Sequence, residues 1–548
     1  MEAAVELLFN PQHDMIEILE SRIAPAAVFY FTDVDGDHVK ISSTLGTNTE
    51  LAAAVTLGNA AQPAVGKPHQ LEMLTLGSAF EGASISITAT PSNDLNPGTA
   101  IKSGDGFVNV GEINATSIDL KTVTIHGDLG QIIVGDGTTT GPGLKSLSVQ
   151  SMGDFGLTTG ANDTASRFTN GVTSIKVAHD VNGVSLRAIA SGSAPTAKIG
   201  SVFIGGNLIG GSTTDTGEII AADGIGSVKI MQSVIGGSAL QTGRIATNSG
   251  GNIGSIYIGG SLVGGSAQAT GVVYSPANIG SVTVRGSVLG GSAVTSGGID
   301  GGNIGSVTIG GNLMGTQFVS AAAVDHTAFV RVQDNLKNVT IGGSIVSGLE
   351  TGGGALTFSG AIQAGETLGA VKVLGSILGS AGQTVVISGA GLAAPTTKTQ
   401  DPAIKSVSIT GSATYAEIEG GYDLDGNPFG GDAQIGVVTI GGDLIASDII
   451  AGVKSTGTDF GNPTDTLIDR PGNAATDGIL ATISSIVVGG QIEGTTATGD
   501  MFGIEAQLIG SIKTGGVSLP LTKGPGNDDF YLSQTTGHDV HVRELPGT

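Results

Sequence analysis

Two short acidic runs carry the clearest chemistry in this chain. Asp33-Val-Asp-Gly-Asp37 and Asp423-Leu-Asp-Gly-Asn427, with Asp432 beyond the second, set side-chain oxygens at alternate positions. Oxygen ligands at that spacing can surround a hard cation. Asp33, Asp35, Asp37, Asp423, Asp425, Asn427 and Asp432 are therefore the candidate metal ligands, and calcium is the candidate ion. Neither run is a helix-flanked calcium loop, which needs Gly sixth and Glu twelfth. Those places hold His38 and Thr44 in the first run, Pro428 and Gln434 in the second. Asp-Gly between the alternating runs Val28–Phe31 and Val39–Ile41 is also a hairpin signal. Turn and cation loop both stay open for 33–37 and for 423–427, and Asn527-Asp528-Asp529 is a weaker cluster of the same kind.

No catalytic residue stands out. The chain has no G-x-S-x-G, no H-E-x-x-H and no G-x-x-x-x-G-K, the spacings for an activated serine, a zinc site and a phosphate cradle. With Cys 0 there is no thiolate chemistry and no disulfide. His 8 are scattered, and His38, His126, His179, His538 and His541 adjoin Asp or Gly-Asp, as solvent-facing turn residues do.

What must position any site is a ten-residue phrase, clearest as Ile199-Gly-Ser-Val-Phe-Ile-Gly-Gly-Asn-Leu208 and Ile304-Gly-Ser-Val-Thr-Ile-Gly-Gly-Asn-Leu313. It starts at Leu120, Leu144, Val172, Ile199, Ile225, Ile253, Ile279, Ile304, Leu336, Leu368, Ile404, Ile435, Ile483 and Ile509. A fixed period marks a solenoid. Apolar residues at positions 1, 4, 6 and 10 alternate as a half-buried strand does, and β-branched letters disfavour helix. The Gly-Gly at positions 7 and 8 is expected to turn a corner through positive φ. A second short strand follows, with room for a third before the phrase returns. Stacked coils would put Val202, Val228, Ile256, Val282 and Val307 in one dry column. At roughly 4.8 Å per strand, fourteen coils make a rod on the order of 65 to 70 Å long. The fold class is all-β: a single-stranded parallel β-helix of about 14 coils with a short N-terminal helical and hairpin cap. A β-propeller would need longer blades of four strands.

The outward row at position 5, from Thr124 and Ser148 to Val487 and Lys513, contains no carboxylate. Glycoside hydrolysis needs two carboxyl groups a few Å apart. That row cannot supply them, and its Lys, Phe and Tyr interrupt any ice-binding lattice of hydroxyls.

Composition narrows the partners. A net charge of −24 argues against nucleic acid, whose binding needs a basic stripe. Trp 0 and 4% aromatics leave few faces for stacking sugars or bases. No run of 18 apolar residues spans a membrane. Gly 93 without a G-x-y period is not collagen, and 39% hydrophobic residues is not disorder.

The ends differ from the middle. Glu2–Phe9 and Met15–Arg22 carry helix-favouring letters, and Glu2 and Glu6 do not fit a secretory signal. An end-capping helix is expected there. Leu19-Glu-Ser-Arg-Ile-Ala-Pro-Ala26, followed by Phe31-Thr-Asp-Val-Asp-Gly-Asp37, resembles the Leu-Glu-Pro-Arg (LEPR) type sorting segment of very large, Gly-rich bacterial surface proteins, with Ser21 at that family's Pro. That resemblance implies export to the cell exterior and β-helix repeats. The terminal Leu545-Pro-Gly-Thr548 matches what a sortase leaves, and reads as a chance match.

Five segments follow: 1–27, helical and sorting-type; 28–119, a β cap with irregular coils; 120–315, regular coils; 316–521, coils with insertions; and 522–548, a tail or cap. Extra residues at 316–335, 380–403, 412–434 and 446–482 are expected as loops leaving one side of the coils. The function expected is a non-enzymatic structural or adhesive β-helix, extracellular or on the cell surface. It would associate end to end into a fibre or layer, or contact a surface glycan or protein. The alternative is a polysaccharide-degrading enzyme with its site in the 380–482 insertions.

Overall fold

The computed structural model describes residues 26–58, 69–91, 104–138, 141–190, 197–248, 250–393, 400–457, 459–469, 478–497, 499–532 and 539–547. The helices expected before Arg22 and the segment resembling a sorting signal lie outside the described residues. Strands make up 52% and helix 2% of the described residues, and one large sheet dominated by parallel pairs links most of the strands.

The phrase forms the first column of that sheet. Each phrase start pairs in parallel with the next, from Leu120↔Leu144 through Ile304↔Leu336 to Ile483↔Ile509, with no slip at that position. A one-residue slip would turn every apolar side chain outward, so burial fixes the register. Position 4 is never more than 2% exposed, from Val123 to Ile512.

A second column consists of two-residue strands such as Leu208–Ile209, Val234–Ile235 and Leu262–Val263. A third runs through Glu218–Ala221, Arg244–Thr247 and Thr327–Val332 to Ala416–Gly420, Asp448–Ala451, Phe502–Ala506 and Val540–Glu544. It passes through segments expected as loops. Thr327–Val332, Val385–Gly389, Ala416–Gly420 and Asp448–Ala451 are strands within 316–335, 380–403, 412–434 and 446–482. Their side chains differ from rung to rung, so no repeated letters announce them.

Pairing turns antiparallel at both ends. Ala27–Thr32 pairs with His38–Ser43, which pairs with Ser84–Thr90. At the other end Ile512–Thr514 pairs with Val517–Ser518, and Asp529–Tyr531 with Val540–Glu544. Antiparallel ends cover edges that would otherwise template another chain.

The Gly-Gly corner works differently from expectation. Gly205, Gly206, Gly259, Gly260, Gly310 and Gly311 do not adopt positive φ. A Cβ at any of them would sit under 3.0 Å from atoms of the preceding rung. Close stacking, not φ, therefore requires glycine there. Positive φ falls at another corner, at Asp215, Gln241, Ala269 and Thr295 and again at Gly217, Gly243, Gly271 and Gly297.

Hydroxyls close that corner. Thr216, Thr242, Thr270 and Ser296 each donate to the carbonyl three residues back and accept from a glycine N–H five residues back. All four are at most 1% exposed, so losing one would strand a buried N–H at about 1–3 kcal/mol. Phrase position 9 forms a second series. From Asp180 through Asn207, Ser233, Ser261, Ser287, Asn312, Ser344, Ser376, Ser412 and Asp443, a side-chain oxygen accepts the backbone N–H of its counterpart one rung on, ending at Gln491, at 2.5–3.2 Å.

Candidate functional site

The first acidic run forms the hairpin turn that the sequence allowed, with its carboxylates gathered. Asp33–Asp37 turns the hairpin between Ala27–Thr32 and His38–Ser43, and Asp33, Asp35 and Asp37 bring one oxygen each within 4.8 Å of one another. Asp33 accepts the Asp37 N–H at 2.8 Å, Asp35 the Asp105 N–H at 3.2 Å, and Asp37 the Gly106 N–H at 2.6 Å. Burial, then the neighbouring Asp35, pushes the Asp33 carboxyl up to about 8.

The second run is not assembled in that way. Asp423 accepts N–H groups of Asp425 and Asn427 at 3.0 and 2.8 Å, which makes it a turn residue. Asp425 and Asn427 are exposed, with the Asn427 amide donating to Asp423 Oδ2 at 3.2 Å, whereas Asp432 is fully buried. Among the described residues Asp423, Asp425 and Asp432 do not converge within 4.8 Å.

A larger acidic site lies on the third column. Register places Glu417 beside Asp448, and Glu419 beside Ile450, which in turn faces Glu505. Glu417 and Asp448 line a cavity of about 310 Å³, with Asp459 and Asp500 beside them. Tyr415, Phe460, Phe502 and Met501 form its apolar wall, and among the described residues no Lys, Arg or His lines it. Tyr415 and Ala446, just before the strands that carry Glu417 and Asp448, have positive φ. Phe502 meets Tyr415 edge-on, at 6.4 Å between centroids.

Asp448 is 7% exposed and takes one hydrogen bond, from Gly503 N–H to Oδ1 at 2.6 Å. Burial holds its carboxyl well above the usual range, and that bond offsets only part of the rise. Glu417 is raised by burial, further by Asp459, and eased by a hydrogen bond with Thr384. Glu419, behind the cavity, is raised well above its ordinary value by burial and then by Glu417 and Asp448. Glu505 is pushed up to about 8 by burial and then by Asp465. The Arg543 guanidinium is 3.9 Å from Glu505, too far for a hydrogen bond.

Sequence reading missed these carboxylates because it examined the outward row of the first column. The available signal was an acid flanking Ile before Gly or Ala, as in Glu417-Ile-Glu-Gly420, Asp448-Ile-Ile-Ala451 and Gly503-Ile-Glu-Ala506. The same letters at Glu218-Ile-Ile-Ala221 mark a different arrangement, since Glu218 is ion-paired to Arg187 and Arg244.

Among the described residues no helix is long and apolar enough to cross a membrane, which says nothing of strands. Comparison with known proteins finds no family, no curated protein and no solved structure that this chain matches.

Proposed function

We propose that this chain is a non-enzymatic structural or adhesive scaffold, extracellular or on the cell surface. We read it as a single parallel β-helix of about fourteen coils, capped at its N-terminal end. The carrying observation is the parallel register kept from Leu120 to Ile509. Consecutive repeats are joined by backbone hydrogen bonds in three columns, so load is spread over many bonds at once. End-to-end association would require the antiparallel end strands to yield the edges they cover, and the segments outside the columns would contact a surface glycan or protein. Antibody raised against the purified chain should label intact source cells. Labelling only after lysis would contradict the surface assignment.

The Asp33-Asp35-Asp37 turn is our proposed calcium site. A cation there would offset mutual repulsion among three gathered carboxylates, two of them buried. A ligand that binds only the folded chain raises its melting temperature. Melting should therefore rise with added calcium and fall back in EDTA, and an unchanged melt removes calcium from the account.

The acidic cavity favours one second reading, the polysaccharide-degrading enzyme. Glu417 and Asp448 are neighbouring carboxyls on adjacent rungs, and Glu417 and Asp459 lie within the 380–482 span. Hydrolysis uses one carboxyl to protonate the leaving oxygen and a second carboxylate on the opposite side of the reaction.

A further inference from the structure

The cavity on the third column has a charge pattern that narrows what it can hold. Four carboxyl side chains, Glu417, Asp448, Asp459 and Asp500, line it, and among the described residues nothing cationic on its wall offsets them. Asp448 is nine-tenths buried, and only its Oδ1 is hydrogen-bonded, to Gly503 N–H. Its second oxygen has no partner within the protein and belongs to the cavity wall. Asp500, on the same wall, has a buried Oδ1 without a hydrogen-bond partner, and a buried carboxylate oxygen without a donor is costly. Such a site gains from any ligand that brings a donor, most of all a charged one.

Chemistry separates the ligand classes. A metal ion needs several oxygens converging on one point, and among the described residues no three of these carboxylates come within 4.8 Å of one another. A polyuronate or phosphate would meet like charge and be repelled. A neutral sugar could donate hydroxyls but would leave the charge uncompensated. An ammonium group supplies both donors and the opposite charge, and charge-assisted hydrogen bonds are the strong ones. Tyr415, Phe460 and Phe502 add faces that attract cations and cover the apolar side of a sugar ring. About 310 Å³ falls at the small end of ligand cavities, suited to a single small ring.

The geometry points to an ammonium-bearing sugar, an unacetylated amino-sugar unit of a glycan, held at Asp448 and Glu417 between the aromatic rings of the third-column cavity. This shares its cavity with the polysaccharide-degrading reading but requires no hydrolysis. Burial and mutual repulsion, which raise Glu417 and Asp448 in the free protein, are relieved when a cation enters.

The test is calorimetric titration of the full chain with a glucosamine trimer and, in parallel, the N-acetylglucosamine trimer. The amine form should bind about tenfold more tightly or better, as loss of a charged partner predicts. Asp448→Asn, which keeps the Oδ1 acceptor for Gly503, should weaken the amine trimer about tenfold and leave the acetylated one nearly unchanged. Asp459→Asn, at a less buried position, provides a second variant should the first fail to fold. Equal binding of the two trimers, no binding of either, or indifference to both substitutions would overturn the inference. Shortened products are assayed separately by chromatography. Binding without products removes the enzyme reading and keeps this one, whereas cleavage of the acetylated trimer alone keeps the enzyme and removes the ammonium.

Discussion

Val307→Asp is expected to unfold the middle of the stack. Val307 is 1% exposed and pairs with Val282 on one side and Val339 on the other. A charge there has no partner and no water, at a cost of several kcal/mol. Because rungs contact chiefly their neighbours, the damage should be local before it is global. Hydrogen exchange should lose protection across Val272–Val284 and Leu336–Ile341 while Ser84–Thr90 stays protected. Thr308→Asp, one residue on and exposed, should change stability by no more than about 0.5 kcal/mol. Equal protection in the Val307→Asp variant and the parent would contradict the inward assignment.

Glu505→Gln should make the protein more stable in alkali. Glu505 is fully buried, and burial followed by Asp465 raises its carboxyl to about 8 from an ordinary value of 4.5. The groups facing it are Asp465, the Arg543 guanidinium and the Gly461 N–H. A raised acid stabilises the fold fully below its unfolded value. That contribution is lost as pH climbs from about 4.5 through 8, because the unfolded chain gives up its proton first. At about 1.4 kcal/mol per unit, the loss by pH 9 is on the order of several kcal/mol. Glutamine stays neutral, so the variant should melt higher than the parent at pH 9 and close to it at pH 4. A parent whose melting is flat between pH 5 and 9, with no gain from glutamine, would show that Glu505 ionises freely.

The all-β, parallel repeat architecture was legible because one face of one strand recurs in letters. Ile199, Val202 and Ile204 have counterparts in rung after rung, and burial tolerates no slip. The corner chemistry was half legible. Gly205-Gly206 stood out, but its reason is the approach of Ala178 and Asp180 on the preceding rung, a distance no single rung encodes. The role of position 9 was not legible either, since Asn207, Ser233 and Asp443 share only a short side-chain oxygen. The third column escaped most fully. Only its inward residues, such as Ile418, Ile449 and Ile504, must be alike, while Glu417, Asp448 and Glu505 flank them on strands whose spacing drifts with the insertions. The carboxylates of the cavity are far apart in the chain and meet only through register.

The most direct test of the account is a spin-label ruler along position 5 of the phrase. The chain has Cys 0, so paired cysteines label cleanly. Lys176→Cys with Lys372→Cys spans seven registers, and Lys176→Cys with Lys513→Cys spans eleven. At roughly 4.8 Å per register the backbone separations are about 34 and 53 Å. Pulsed dipolar spectroscopy should return two narrow distributions in that ratio. Distances that fail to grow with the number of repeats, or that spread as in separate modules on a flexible chain, would contradict the stacked coil and every functional statement built on it.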